Sequence, residues 1–323
     1  MNTKSSLYRE LSHKELFDIC RKEFGTECDC AELLSGGLFN TTYCLMFRDT
    51  GKKYVLRAGP VNRQFLLSFE ENMMNGEQEV YRLLKGRGIP CSTVVACDTS
   101  KSVVDRDYMI VEYIESFPLS DLDEKDARIP ELYEEVGRYT RKMHDIVGTG
   151  FGRVSHAAAG KLFFGWREYF EDELHSWREQ VERYRLYTVE ELELIQKAFG
   201  KISSYLDEIT QPRLVHADLW AGNVLIRREG EKFSVAAIID ADRAIWGDPD
   251  YDLSSGWMMG DPYLRGYGDI SRDAHSALRK KFYQMMYRIT DSYVWQVQYN
   301  TPENYQSAKA EGLILAKEIL ETR

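Results

Sequence analysis

The stretch from His216 to Asp240 leaves the chain few ways to run. It begins His216-Ala217-Asp218-Leu219-Trp220-Ala221-Gly222-Asn223 and continues as an extended run to Arg227. Arg228-Glu229-Gly230-Glu231 breaks that run, and a second one, Phe233 to Ile239, ends on Asp240. Val235-Ala236-Ala237-Ile238-Ile239 is apolar enough to be a buried strand. Two strands joined by so short a break pair as a hairpin. The hairpin predicts that Asp240 returns to the side of Asn223, so Asp218, Asn223 and Asp240 meet at one place.

That meeting suits one chemistry in particular. Phosphoryl transfer asks a protein mainly for positioning and charge neutralisation. An aspartate beside an acceptor hydroxyl aligns it and takes its proton. An asparagine five residues later turns back to hold a metal, and a second aspartate arrives from another segment. Asp218, Asn223 and Asp240 fill these places in order. Asp242 competes with Asp240 as metal ligand, but Asp240 directly follows the apolar strand. The plain alternative is that His216, Asp218 and Asn223 only cap loops, where Asp and Asn are favoured.

The segment resembles the aminoglycoside phosphotransferase family, a branch of the kinase-like superfamily. The residues that carry the likeness are His216-Ala217-Asp218 with Asn223, Ile239-Asp240, and Gly247-Asp248-Pro249-Asp250-Tyr251-Asp252-Leu253. Ala217 stands where the family commonly has glycine. The resemblance implies an α+β, two-lobed protein-kinase-like fold. A small antiparallel-sheet lobe (1–115) would bind nucleotide, and a larger, mainly helical lobe (116–323) would hold the catalytic residues and the acceptor. It implies ATP or GTP as donor and Mg2+ held by Asn223 and Asp240, with Asp218 as base. Asp252 would anchor the catalytic loop or cap a helix.

The amino-terminal third supplies candidates for the nucleotide. Ser35-Gly36-Gly37-Leu38-Phe39-Asn40-Thr41 lies between strand-like runs and resembles the family's nucleotide-covering loop. Its glycines would let backbone N–H groups approach phosphate oxygens. Ser35, Gly36, Gly37, Asn40 and Thr41 are the residues expected there. Arg57 ends the strand Tyr54-Val55-Leu56-Arg57, where kinases carry a lysine paired to a helix glutamate. Arginine can serve, being always charged and able to bind phosphate bidentately. Glu77 is the expected partner and Glu79 the alternative. Tyr108 to Ile114 resembles the strand leading into a kinase hinge, with main-chain groups near Glu112 and Ile114 for the base.

Elsewhere the periodicity is coarse but usable. A helix is expected from Ser12, a possible capping box with Glu15. Further helices are expected over Phe69 to Lys85, Leu132 to His144, Phe163 to Tyr187 and Val189 to Leu206. Phe163, Phe164, Trp166, Tyr169, Phe170 and Trp177 form an aromatic series with interleaved acids. It reads either as pocket walls or, more simply, as one face packed on a core. Glu171, Trp246 and Asp248 are the candidate acceptor contacts, and the tail from Tyr299 is a helix able to close the cleft.

Composition narrows the classes. The 323 residues carry a formal charge of −10, against a broad nucleic-acid-binding face and suited to a cationic acceptor in an acidic cleft. No apolar run is long enough to span a bilayer, and Met1 to Glu10 lacks a signal-peptide core, so no membrane partner and a cytoplasmic location are expected. All six cysteines precede residue 98, which argues for reduced thiols rather than a disulfide framework.

The expected function is therefore transfer of a nucleotide γ-phosphate to a small-molecule hydroxyl, on an aminoglycoside, another antibiotic, an amino sugar or a metabolite. Trp220 in Asp-Leu-Trp-x-Gly-Asn is similar to fructosamine kinases, and a fructosamine- or choline-kinase-like metabolic role is the alternative. A nucleotide-binding pseudokinase or regulatory module should lack a catalytic or metal residue, and all three are here. A protein kinase should show D-F-G and A-P-E, and Asp240-Ala241-Asp242 stands where the first would be.

Overall fold

The computed structural model describes residues 5–34, 39–230, 232–256 and 259–322. Ser35, Gly36 and Gly37 of the expected nucleotide loop, and Trp257-Met258, lie outside them.

Helix α1 (His13–Phe24) starts where Ser12 and Glu15 cap each other's backbone N–H groups and ends at Gly25 with φ 74°. A five-stranded antiparallel sheet follows. Its strands are β1 (Cys30–Leu33), β2 (Thr41–Phe47), β3 (Lys52–Ala58), β4 (Val94–Asp98) and β5 (Tyr108–Glu112), in the order β1-β2-β3-β5-β4. Between β3 and β4 lies α2 (Met73–Gly86). The sheet is covered on both faces, so β5 is apolar at four successive positions. Tyr108 and Ile110 pack with Leu16, Ile19 and Cys20 of α1, while Met109 and Val111 pack with Val80, Tyr81 and Leu84 of α2.

Helix α2 begins four residues later than its periodicity predicts. Ser68–Glu70 forms a single tight turn, and Asn72 takes a left-handed conformation (φ 57°) that stops a helix from running through. The cause is tertiary. Residues 59–72 leave the sheet and dock on the helical part of the chain, where Leu67 and Phe69 join the largest apolar core. The Phe65 carbonyl accepts from Tyr293 and Gln298 at 3.1 and 3.0 Å, and the Glu70 carboxylate accepts from Gln298 at 2.6 Å.

The rest of the chain is mainly helical. After β6 (Phe117–Pro118) come α3 (Ile129–His144), β7 (Gly152–Arg153), α4 (Val154–Ala157), α5 (Trp166–Arg183) and α6 (Val189–Leu206). Strand β8 (Arg213–Val215) leads to the hairpin of β9 (Val224–Glu229) and β10 (Lys232–Ile238), antiparallel as expected. Strand β11 (Ile245–Gly247), α7 (Asp250–Ser254), α8 (Asp261–Tyr267), α9 (Ala274–Tyr293) and α10 (Pro302–Glu321) complete the order. A π turn, Val294–Gln298, extends α9. The two-lobed kinase-like architecture expected from sequence is the one observed. Helix α5 is shorter than expected because Phe163 pairs with Phe151 and Gly165 is extended. Trp166, Tyr169, Phe170 and Trp177 are buried in the core, so the aromatic series from Trp166 on is a packed face, while Phe164 is exposed.

Candidate active site

The loop from β8 to β9 is held from behind by one carboxylate. Asp252 accepts the His216 N–H at 3.0 Å and the Ala217 N–H at 2.8 Å, and bonds His144 Nε2 at 3.0 Å. Burial works against its charge, but these donors hold it below the ordinary carboxylate range. His216 is buried and its pKa is lowered by desolvation, so it is neutral. Its Nε2 donates to the Ile239 carbonyl at 3.1 Å, which ties this loop to the end of β10. Ala217 sits between these anchors at φ 63°, a conformation that costs a β-carbon about 1–2 kcal/mol. The glycine of the related motif avoids that cost.

Asp218 emerges from this loop partly buried. Desolvation raises its pKa to about 7, with Arg243 opposing and Asp240 and Asp291 adding to the rise. Asn223 Nδ2 donates to the Asp218 carbonyl at 2.8 Å, and the Ile239 N–H donates to the Asn223 carbonyl at 2.9 Å. The hairpin thus brings Asp240 back beside Asn223. Because its amide N–H2 is committed to Asp218, Asn223 keeps Oδ1 free of protein donors among the described residues.

On the opposite wall Arg57 gathers three carboxylates. Its Nη1 donates to Glu77 at 2.5 Å, and its Nη2 donates to Asp240 and, at 3.5 Å, to Asp242. Tyr81 is shared between the walls, donating to Glu77 at 2.5 Å and accepting the Asp240 N–H at 3.0 Å. Glu79, the alternative partner, pairs instead with Arg82 on the surface. Glu77 is fixed by close packing: a Cβ on neighbouring Gly76 would lie 2.7 Å from the Ser155 nitrogen.

The remaining nucleotide candidates divide. The Ile114 N–H, just past β5, makes no hydrogen bond among the described residues, and Glu112 is exposed beside it. Asn40 is buried next to the undescribed loop. Thr41 is a correction: its hydroxyl donates to the Arg9 carbonyl at 3.0 Å, on the α1 side of the sheet. The register pairs Thr42, not Thr41, with Arg57, so Thr42 shares the cleft face.

The three acceptor candidates need correction as well. Trp246 is a buried residue of β11 packed over Gly148. Asp248 is buried and bonded to Arg279 at 3.0 Å and Tyr283 at 2.8 Å. Glu171 lies on the outer face of α5, in a groove against α6, because Trp166, Phe170 and Trp177 take the inward face. None of the three lines the cavity between α7, α9 and α10. That cavity, about 330 Å³, is lined by Ser254, Gln284, Tyr287, Arg288, Asp291 and Glu311, among others. Tyr287 joins it to the loop between β8 and β9 by donating to the Ala217 carbonyl at 3.1 Å. Asp291 is raised to about 6 by burial, against the pull of Arg243 and Arg288. The sequence carries no local signature for these α9 and α10 residues. A π turn follows Asp291 directly, a distortion frequent at functional sites but unmarked in sequence.

A kinase-like fold, with an acid-lined cleft between a sheet and a helical part, defines a small-molecule phosphotransferase. The chain belongs to the phosphotransferase enzyme family, whose model matches residues 31–280. A Vibrio vulnificus (strain CMCP6) protein described as a ketoamine kinase is 23% identical over 265 residues, 79% of this chain and 83% of the relative. The fold is similar to that of a thermostable mutant of aminoglycoside phosphotransferase APH(4)-Ia, solved with AMP-PNP and hygromycin B. The TM-score is 0.68 at 17% identity, over 95% of this chain and 100% of the other. It is similar also to a Thermobifida fusca YX-ER1 protein described as a fructosamine-3-kinase, with TM-score 0.67, 17% identity, and 95% and 100% coverage. Among the described residues, no helix is long and apolar enough to cross a membrane.

Proposed function

We propose that this chain transfers the γ-phosphate of ATP or GTP to a hydroxyl of a small molecule seated in the cavity between α7, α9 and α10. The observation that carries the reading is Asp218 itself: a carboxylate with pKa near 7, on a loop that Tyr287 links to the cavity and that Asn223 closes on the side of Asp240. A general base works best when its pKa lies near the working pH. Asp218 aligns the acceptor hydroxyl and takes its proton as the oxygen attacks phosphorus. Arg57 and Glu77 set the phosphate side of the cleft, and the Ile114 N–H is a free main-chain donor for the base. Asn223 Oδ1 and the partly exposed Asp240 carboxylate are oxygen donors of the kind Mg2+ takes. When bound, Mg2+ supplies charge neutralisation for the phosphates.

Asp291 and Glu311 both pair with Arg288 in the cavity wall, which leaves one carboxylate in excess and favours a cationic acceptor. Trp220 favours a sugar-like one: its indole is 43% exposed and lies over Gly222, where a Cβ would approach it to 2.4 Å. The relatives described as ketoamine and fructosamine kinases agree with a ketosamine acceptor, and APH(4)-Ia with an aminoglycoside. A panel of aminoglycosides, ketosamines, amino sugars and choline, incubated with ATP or GTP and read by mass for an added phosphate, tests the reading. Phosphate should appear on at least one acceptor and vanish in Asp218→Asn. Nucleotide binding with no transfer to any acceptor would favour the regulatory alternative.

A further inference from the structure

Helix α1 ends on a turn that brings the chain back against the helix. Gly25 takes the left-handed conformation and donates its N–H to the Arg21 carbonyl at 3.1 Å, and the chain reverses there. Three residues on, Cys28 packs against the apolar cluster in which Cys20 of α1 is fully buried. Asp29 pins the returning segment to β2. Its N–H donates to the Met46 carbonyl at 2.9 Å, and its carboxylate accepts the Arg48 N–H at 2.7 Å. The Cys20 and Cys28 thiols thus stand within hydrogen-bonding reach of each other. Sulfurs held this way have little distance left to the covalent bond of about 2.05 Å.

The two thiols differ in access. Cys20 is sealed in the core, whereas Cys28 is only half-buried. Cys28 is also the more readily ionised. The Cys20 thiol donating to it lowers its pKa, against burial and the nearby charges of Asp29 and Glu27. Burial raises Cys44, Cys91 and Cys97 instead, which leaves them poor nucleophiles. Cys30 is exposed on β1, opposite Met46.

We propose that Cys20 and Cys28 form a reversible disulfide, with Cys28 the thiol that meets an incoming low-molecular-weight disulfide and Cys20 the thiol that resolves it. The Cys28 sulfur attacks one sulfur of the small disulfide. A mixed disulfide forms, and the other half leaves as a thiol with the Cys28 proton. The Cys20 sulfur then attacks Cys28 Sγ, and the second half leaves as a thiol with the Cys20 proton. Two protein thiols are oxidised, and one small disulfide is reduced to two thiols. The cross-link ties α1 to the approach to β1.

The test takes the reduced chain and oxidised glutathione as probe, with remaining thiols alkylated and read by mass. In the wild type Cys20 and Cys28 should become closed to alkylation, carry no glutathione, and reopen with dithiothreitol. Trypsin cuts after Arg21 and Lys22, between the two cysteines, so the cross-link should appear as two joined peptides that reduction separates. Cys20→Ser should stop at glutathione on Cys28. Cys28→Ser should slow the loss of the Cys20 thiol at least tenfold, and Cys30→Ser should leave the cross-link unchanged. Should Cys20→Ser fail to fold by circular dichroism, Cys28→Ser decides, since its side chain is not sealed in the core. The proposal is overturned by a wild type whose Cys20 and Cys28 stay open to alkylation, by a folded Cys20→Ser with no glutathione on Cys28, by Cys20 oxidised at the wild-type rate in Cys28→Ser, or by loss of the cross-link in Cys30→Ser.

Discussion

Gly76 lies against the Ser155 backbone so closely that no side chain fits between them, and the next residue is the glutamate that grips Arg57. The helix carrying Glu77 is therefore seated on the helical part of the protein, not merely on the sheet.

Gly76→Val should push α2 off that seat. Overpacking of this kind costs about 1–3 kcal/mol, and displacement should also part Glu77 from Arg57. We expect kcat/KM for nucleotide to fall at least tenfold, with a lower urea midpoint. Normal activity in Gly76→Val would show that the seat does not set the ion pair.

Asp218 predicts the pH profile. Its folded pKa, about 7, lies above the ordinary value near 3.9, so ionising it opposes folding: the stability it lends is full below about pH 4 and is lost as pH rises through 7. Activity runs the other way, since only the ionised base accepts a proton. A plot of log kcat/KM against pH should rise with unit slope to a bend near 7. Asp218→Asn should lose the bend with at least a thousandfold of the rate, and the same bend in that variant would assign it to another group.

Ala217→Gly should stabilise. Relief of the left-handed strain at φ 63° outweighs the backbone entropy that glycine adds, leaving about 0.5–1 kcal/mol. Equilibrium urea unfolding measures it, and a loss of stability would mean that the buried methyl packs better than its backbone suggests.

Asp291→Asn should raise KM for a cationic acceptor at least tenfold and leave KM for nucleotide alone. With a pKa near 6, Asp291 is ionised above that pH, so acceptor affinity in the wild type should weaken as pH falls through 6. An unchanged acceptor KM would move the recognition elsewhere in the cavity.

The meeting of Asp218, Asn223 and Asp240 was legible because its parts are close in sequence or flanked by strong local patterns. His216 to Asn223, the hairpin and Asp240 span twenty-five residues, and an apolar strand points at the aspartate. Glu77 was separable from Glu79 only by the packing that buries one and exposes the other. Thr41 and Thr42 differ by one residue, and in a strand that is a change of face. The cavity proposed for the acceptor was not legible. Its residues come from α7, α9 and α10, and nothing in the spacing of Asp291 or Glu311 sets them apart from solvated helix charges. Trp246 and Asp248 misled for the opposite reason: nearness in sequence to Asp240 carried them into the core rather than the cleft.

Leu67 and Phe69, borne on the excursion between β3 and α2, complete an apolar core built otherwise from residues after 150. A fragment ending near residue 115 would carry these two side chains with nothing to bury them in, and the remainder would lack them. Severing the polypeptide between sheet and helices should yield two aggregation-prone pieces, whereas the intact chain should melt in one cooperative step.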